Sequence, residues 1–333
     1  MFAWLKRFDL RRHPVWARVA GYGAAAYLLL ILVLAIYWSR TPDVFWVNQE
    51  VDGRKVVGYA TTDTLVRVAD TLLEKPGGFL TNDRLPPGVF LDNMPNWEKG
   101  VLQQVRDLAR VIRNDYSRSQ SQSREDVDVS DAEPKFFFEA DSWILPPFES
   151  RYGEAIEGFA SYRDRLAGLE TPEAQFFARA DNLREWLAQV EKRLGDMSKR
   201  LGDSVAETVV NTDLAGDSAA ESNSELPDNV SVRTSWFEID DVFFEARGTA
   251  WALVHFFRAV ELDFAQVLED KNARASVRQI IRELEASLQP LRSPMVLNGG
   301  GFGLFANHSL VMANYIARAN AAVINLRELL DQG

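Results

Sequence analysis

The sequence predicts a mainly α-helical protein, with one N-terminal transmembrane helix followed by a multi-helix bundle that carries a short β-ribbon near the membrane. Three observations lead to this fold class: an uncharged run from Val19 to Trp38, apolar residues at helical spacing through most of the rest, and the hairpin-type dipeptide Asp52-Gly53. A helix rises about 1.5 Å per residue, so about 20 apolar residues match the roughly 30 Å hydrocarbon core of a bilayer. The run is therefore predicted to contact the lipid bilayer and to span it.

The residues before this run set the expected orientation. Residues 1–18 contain five basic residues and one acidic residue, and basic residues stay on the cytoplasmic side of a span. A cleaved signal peptide is disfavoured, because the run is long and Ile36–Pro42 lacks small residues at A-x-A spacing. We expect a cytoplasmic basic head over residues 1–18, a span over 19–38 and a helical domain outside the cytoplasm over 39–333. The head is too short to be a folded signalling domain.

Charge and composition exclude several partners. Residues 1–18 carry +4 and the whole chain carries −11, so residues 39–333 carry −15. Such an acidic domain would approach the phosphates of nucleic acid against like charge, so no nucleic-acid partner is expected. The chain has no cysteine and its three histidines lack metal-binding spacing. We therefore expect neither a metal site nor a cofactor.

Local patterns place the elements of the outer domain. Asp52-Gly53 lies between Val44–Val47 and Lys55–Tyr59, which predicts a β-ribbon. Two polar stretches, about 119–135 and 211–235, are predicted to be exposed loops, because they contain too little apolar surface to offset the entropy of ordering. They divide the domain into three helical blocks. The predicted helices cover about 64–74, 96–118, 172–201, a segment through 250–257, 273–288 and 305–330.

One helix carries a heptad pattern. Thr171-Pro172-Glu173 is a typical helix start, with a cap, a first-position proline and an early acid. Apolar residues then recur at alternating steps of four and three, which predicts a coiled-coil-like seam that needs a partner helix. The seam consists of Phe176, Ala180, Leu183, Leu187, Val190, Leu194, Met197 and Leu201.

A second apolar stretch is too short to cross a membrane. Arg247 and Arg258 enclose ten uncharged residues that include Ala250–Phe257. This is about half the length that a bilayer requires, so the stretch is predicted to be the buried central helix of the domain.

Two acidic clusters are candidates for catalysis, because glycan cleavage needs two carboxyl groups across a cleft. Acids at helix starts are also ordinary partners of the helix dipole, and the structural role is favoured here. The two clusters lie in a weak repeat, Phe138–Asp141 and Phe237–Asp240, each followed by a second Phe-Glu pair and an apolar helix. The candidate residues are Glu139, Asp141, Glu149, Glu238, Asp240 and Glu245.

Trp251, His255 and Arg258 are candidates for ligand binding. They lie on the most apolar helix at spacings of four and three residues. Helical bundles bind small ligands between helices, in apolar pockets with a few converging polar groups. The alternative is that His255 is a buried, hydrogen-bonded core residue.

Three segments carry a resemblance to a known family. They are FWVNQE at residues 45–50, FFFEADSWILPPFESRYGEAIEGF at 136–159 and AWALVHFF at 250–257. With the basic head and the single span, this layout resembles an uncharacterised proteobacterial inner-membrane family with a numbered domain of unknown function. The resemblance implies a Gram-negative origin, a single-pass inner-membrane location and a periplasmic domain, and it implies no activity.

Three classes of function remain open. The favoured one is a membrane-anchored envelope scaffold or assembly partner, with a protein partner or self-association and without catalysis, because no catalytic signature is present and function has to be argued from a site. A periplasmic small-ligand-binding module is the alternative. An envelope enzyme that acts on glycan or peptide through carboxylates is the third.

Overall fold

A single 25-residue helix, Ile239–Asp263, organises the helical domain of the protein. The computed structural model describes residues 15–119, 124–171, 173–204, 234–293, 295–300 and 304–332, and the backbone of 207–210 and 229–232. Within these ranges the fold is mainly helical, as predicted. The helices are α1 (Val15–Trp38), α2 (Tyr59–Glu74), α3 (Asn93–Val111), α4 (Val127–Phe136), α5 (Phe148–Leu166), α6 (Ala180–Gly202), α7 (Ile239–Asp263), α8 (Ala265–Asp270), α9 (Arg274–Ser287) and α10 (His308–Asp331). The strands are β1 (Glu50–Val51), β2 (Arg54–Lys55), β3 (Glu207–Val210) and β4 (Asn229–Val232).

Helix α1 projects from the domain. None of its residues is buried, and it is long and apolar enough to cross a membrane. Its last residue, Trp38, packs against the core of the domain. Most of the predicted basic head, residues 1–14, lies outside the described residues.

Helix α7 is buried along almost its whole length, which confirms the predicted central helix. Helices α3 and α7 run parallel, since Lys99 bonds to Glu245 near their first turns and Tyr116 packs on Phe264 near their ends. Helix α2 runs the opposite way, because the backbone N–H of Thr61 in its first turn bonds to Asp263. A π-helical turn, Ile112–Tyr116, extends α3.

Two glycines let α3 and α7 approach closely. A Cβ at Gly248 would overlap the carbonyl oxygen of Trp97, and a Cβ at Gly100 would overlap that of Glu245. The two backbones are therefore in direct contact, and alanine at either position would push the helices apart.

The predicted seam of α6 is buried within the same chain from Leu183 to Leu201. Leu183, Leu187, Val190, Leu194 and Leu201 are buried, and α6 packs against α10, which in turn packs against α9. The observed start of α10 lies three residues after the predicted start at about 305, and the Asn307 side chain caps the helix by accepting a hydrogen bond from the backbone N–H of Leu310.

The prediction for the start of α6 was wrong. The helix begins at Ala180 instead of Thr171, and residues 173–179 have no regular secondary structure. Tertiary contacts outweigh the local start signal, because the Phe177 N–H bonds to the Tyr116 carbonyl and Phe176 packs on Tyr116 and Phe264.

The predicted loop over about 119–135 is also corrected, because it contains α4. Asp126 caps this helix through the N–H groups of Asp128 and Val129. Val129, Ala132 and Phe136 are buried at helical spacing against α5. Of the other predicted loop, about 211–235, the described backbone at 229–232 forms β4, antiparallel to β3.

The β-ribbon is shorter than predicted. The turn at Asp52-Gly53 is present, with both residues at positive φ, but only two residues on each side pair. Val44–Val47 is not a strand. The proposed repeat is not equivalent in structure, because α7 begins at the second FExD segment, whereas α5 begins at the Phe-Glu pair after the first.

Candidate functional site

The predicted ligand residues on α7 face a segment of the same chain. Residues Asp43–Gln49, which we call the strap, connect α1 to the β-ribbon. The strap crosses the side of α7 that carries Trp251, His255 and Arg258. The three predicted residues are thus brought together, and each side chain forms a hydrogen bond with the backbone of the strap.

His255 is the centre of this contact. Its Nε2 accepts a hydrogen bond from the backbone N–H of Phe45 at 3.0 Å, and its Nδ1 lies 2.7 Å from the Trp251 carbonyl. Since a backbone N–H can only donate, Nε2 is the unprotonated nitrogen and Nδ1 donates. The Phe45 ring stacks on the imidazole with centroids 3.9 Å apart.

Burial keeps this histidine neutral. Burial lowers the pKa of His255 to about 3, with the nearby Arg258 and Arg67 acting in the same direction and the hydrogen bond to Trp251 opposing the shift. A protonated imidazole would lose the bond from Phe45, because both ring nitrogens would then be donors. The hydrogen bond between the strap and His255 therefore requires the neutral form of the imidazole.

Arginines on two helices bind the strap from both sides. Arg258 on α7 donates to the carbonyl of Phe45 at 3.1 Å, and Arg67 on α2 donates to that of Trp46 at 2.8 Å. The Arg67 guanidinium also lies 3.9 Å from the centre of the Phe45 ring, a cation–π contact. Phe45 is thus enclosed between a cation and an imidazole.

The end of the strap is anchored by a buried carboxylate. Gln49 donates to the Leu262 carbonyl and to Asp263 Oδ1, both at 3.1 Å. Asp263 Oδ2 accepts from the Thr61 N–H at 2.6 Å, and burial raises the pKa of this carboxyl group. Asp263 therefore joins the strap, α2 and α7.

The chain matches the model of one family, an uncharacterised protein conserved in bacteria (DUF2333), over residues 11–333. It belongs to this family. The match confirms the expected resemblance to an uncharacterised bacterial family with a numbered domain of unknown function. No curated protein and no solved structure matches the chain. The function of this DUF2333 chain therefore has to be argued from its own residues.

A buried ion pair stabilises the turn that packs against the end of α1. Lys75 and Glu98 form an ion pair at 2.6 Å with both side chains almost fully buried. Glu98 also accepts from the backbone N–H groups of Leu80 and Thr81, and its pKa is raised by burial. A Cβ at Gly77 would lie 2.8 Å from the Trp38 ring, so this turn is the contact surface of Trp38.

The first acidic cluster forms ordinary surface contacts. Glu149 accepts from Asn82, and Glu154 pairs with Lys135 and Arg151. The hydrogen bond from Lys135 is the largest cause that lowers the pKa of Glu154. Glu139 and Asp141 lie in the turn before α5 and are exposed.

The second acidic cluster lies on the first turns of α7. Glu245 is paired with Arg200 and Lys99, both at 2.9 Å, and these partners outweigh its burial, so its pKa is lowered. Burial, followed by Asp240 and Asp92, raises the pKa of Asp241 to about 6. Burial also raises the pKa of Asp240, while Glu238 is exposed at the helix start.

Two of the six candidate carboxylates, Glu149 and Glu245, are engaged in side-chain contacts, whereas Glu139, Asp141 and Glu238 are exposed. Glu245 is neutralised by two cations, which is unfavourable for a nucleophile or a base. Within the residues that the structure describes, no group of three or more metal-binding side chains is present.

An open cavity lies beside the strap. Its volume is about 400 Å³, and its lining includes Trp46, Leu262 and Ile281 together with Arg258 and Arg282. Of the three predicted ligand residues, Arg258 lines this cavity, whereas Trp251 and His255 do not. The sequence did not indicate Phe45, Arg67 or Asp263. The FWVNQE segment was noticed only as a family signature, and no local pattern indicates that it packs on α7.

Proposed function

We propose that this protein is a membrane-anchored scaffold or assembly partner of the bacterial envelope. In this proposal α1 is an uncleaved inner-membrane span with a cytoplasmic N-terminus, and residues 39–333 form a periplasmic domain. The basic residues before the span support the orientation. The length and full exposure of α1 support its insertion.

The observation that carries the proposal is the attachment of the strap. A flexible tether between a span and a domain would be polar, solvated and free of tertiary contacts. The strap instead forms hydrogen bonds to α2 and α7 through His255, Arg67, Arg258 and Trp251. A domain fixed to its anchor presents the same surfaces at the same height above the membrane, which suits a protein that positions partners.

The seam of α6 does not provide the partner surface, because its residues from Leu183 to Leu201 are already buried within the chain. Self-association or partner binding therefore has to use another surface. The proposal does not depend on this seam, because it is based on the attachment of the strap to α2 and α7.

Cross-linking the full chain in its native membrane tests the proposal. We expect reproducible capture of a defined partner or of a second copy. The matched variants are Arg67→Leu, which loosens the strap, and Arg54→Leu, which changes an exposed arginine on β2. Capture should fall for Arg67→Leu only, and no reproducible partner for the wild-type chain would refute the scaffold. A reporter fused after Gly333 should be active outside the cytoplasm, and activity inside would refute the topology.

The cavity beside the strap favours a second candidate function, the binding of a small anionic amphiphile. Its apolar walls and its arginines suit a short acyl chain with a carboxylate. Titration of the full chain with decanoate should raise its unfolding midpoint. Arg282→Glu should abolish this shift, whereas Lys199→Glu on α6 should not. An unchanged midpoint for the wild-type chain would exclude this class of ligand.

The enzyme alternative depends on the acidic clusters. If they are catalytic, exchanging both Glu139 and Glu238 should abolish an envelope phenotype while the domain stays folded. Wild-type behaviour of this double variant would remove that alternative.

A further inference from the structure

Six large apolar side chains are exposed at one end of the helical bundle, and we call them the apolar rim. Leu145 and Phe237 are the most exposed of the six, at 89% and 85%. Soluble surfaces seldom expose contiguous apolar groups of this size, and such patches mark contacts with proteins or membranes. The rim consists of Leu85, Phe90, Trp143, Leu145, Trp236 and Phe237.

Three loops carry the rim, and side-chain contacts hold them at the same end. Asn82 donates to the Ser142 carbonyl at 3.0 Å, which joins the loop before α3 to the loop before α5. Asn96 donates to Asp241 at 2.7 Å, which joins the first turns of α3 and α7. The rim therefore surrounds the starts of three parallel helices.

The loop before α5 is closed so that its tip points outward. The Phe148 N–H donates to the Ser142 carbonyl at 3.0 Å, and the Ser142 hydroxyl donates to the Pro146 carbonyl at 2.9 Å. Trp143, Ile144 and Leu145 lie between these bonds, and all three are more than half exposed. A closed loop with three consecutive apolar residues at its tip is costly in water unless something covers it.

Helix α1 leaves the domain at the same end. Trp38 packs against Gly77, in the turn that leads to the loop with Leu85 and Phe90. The strap then runs away from this end, because Asp43 meets Trp251 whereas Gln49 meets Leu262. Eleven helical residues separate these two contacts, which is about 16 Å along α7. The bundle thus extends away from the point where the span ends.

We propose that the apolar rim is a second membrane contact and inserts into the interfacial layer of the bilayer that α1 spans. The inference rests on the anchoring proposed above. Tryptophan and phenylalanine beside aliphatic residues are typical of side chains that lie at the boundary between headgroups and acyl chains. The span brings the rim to the membrane, so no further partner is needed to cover it.

Negatively charged side chains near the rim determine which lipid headgroups it can approach. Asp83, Asp92, Asp141, Glu238 and Asp240 lie in the same loops and first turns. These carboxylates repel anionic headgroups, so the contact depends on apolar insertion into a mainly zwitterionic surface. The partner is therefore a zwitterionic phospholipid bilayer.

Single-cysteine probes in the full chain test this proposal directly. The natural sequence has no cysteine, so one introduced residue can be labelled with an environment-sensitive fluorophore. Sites at Phe90, Leu145 and Phe237 report on the rim. Val127 and Leu169 are matched controls, since both are 56% exposed and lie at the opposite end near Arg165 and the end of α5. A site at Leu30 in α1 reports whether the span has inserted.

The labelled chains are reconstituted in phosphatidylcholine vesicles and exposed to lipid-attached and aqueous quenchers. Rim probes should show blue-shifted emission, strong quenching by lipid-attached groups and protection from iodide, whereas control probes should behave as in water. Rim probes equal to the controls would overturn the proposal. Protection of the rim from both quenchers would also overturn it, because a second copy would then cover the rim.

Two results separate the membrane contact from the proposals on which it rests. An aqueous signal at Leu30 would refute the span itself. A lipid signal at Leu30 with an aqueous rim would refute the membrane contact and leave the anchor intact. Leu145→Asp with the probe at Trp143 should return that probe to an aqueous signal, and an unchanged lipid signal would contradict insertion of this loop.

Discussion

The two halves of α7 are built in different ways. The first half meets α3 by direct backbone contact, with Gly248 against Trp97 and Gly100 against Glu245. The second half meets the strap and α2 through polar side chains, with His255, Arg258 and Asp263 in hydrogen bonds. Close packing stabilises a contact between helices but is not directional. Buried polar groups are satisfied only when their hydrogen-bond partners lie at defined positions, so they specify one arrangement of the segments. The second half therefore determines how the domain is attached to α1.

The largest effect on stability is expected from a substitution in the first half of α7, where it packs against α3. Gly248→Ala should lower the free energy of unfolding by about 3 kcal/mol, because the added Cβ overlaps a backbone carbonyl that cannot move alone. Thermal or urea unfolding of the full chain in detergent measures this. Gly153→Ala on α5 is the matched control, since a Cβ there meets nothing within 4 Å, and it should stabilise by up to about 1 kcal/mol. Equal effects of the two variants would contradict the close contact.

A smaller effect on stability is expected at low pH, from the protonation of His255 in the second half of α7. The pKa of His255 is about 3 in the folded chain, below the value near 6.5 in an unfolded chain. The contribution of neutral His255 is complete above pH 6.5 and is lost as the pH falls from there towards 3, because the unfolded chain binds the proton first. The loss should reach about 2 kcal/mol at pH 5.

The pH effect is measured as the difference between the wild-type chain and His255→Gln. Glutamine keeps an acceptor for the Phe45 N–H without a titrating ring. This comparison is needed because Glu98, Asp241 and Asp263 have raised pKa values and act in the opposite direction. Parallel pH profiles of the two proteins would show that His255 is not buried as a neutral group.

The smallest expected effect concerns the edge of the strap. Arg67→Leu removes the donor to the Trp46 carbonyl and the cation above Phe45, and should cost about 1 kcal/mol because Arg67 is partly exposed. Tryptic cleavage after Arg40 should become faster, since the strap detaches more often. Arg54→Leu serves as the control and should leave this rate unchanged. A rate that is unaffected by Arg67→Leu would show that the strap is attached without it.

Strong local patterns predicted several elements correctly. The ten uncharged residues between Arg247 and Arg258 indicated a buried helix, and the heptad positions of α6 are buried from Leu183 to Leu201. Asp52-Gly53 indicated a hairpin turn, which is present. In each case a few neighbouring residues contain the whole physical cause, which is periodic burial or turn geometry.

The errors arose where distant contacts outweigh local signals. Helix α4 was missed because its sequence is acidic, although three apolar residues at helical spacing and the Asp126 cap are sufficient once α5 covers them. The helix start at Thr171 was misplaced because Phe176 packs on Tyr116 and Phe264, and such a contact is invisible in the local sequence. For the site, Trp251, His255 and Arg258 lie together as the sequence grouped them, but their hydrogen-bond partner is the strap, which no local pattern indicated, and their role as ligand residues stays a prediction.

The sequence alone determined that the protein has one helix long and apolar enough to span a membrane, an acidic helical domain and a buried central helix. These follow from length, charge and periodicity, which are properties of neighbouring residues. Only the tertiary structure decided that the strap lies on His255, that α6 packs beside α10, and that the exposed apolar loops lie where α1 ends. The physical reason is that these contacts join residues up to about 200 positions apart, and their free energy depends on packing and on shared hydrogen bonds that no local pattern encodes.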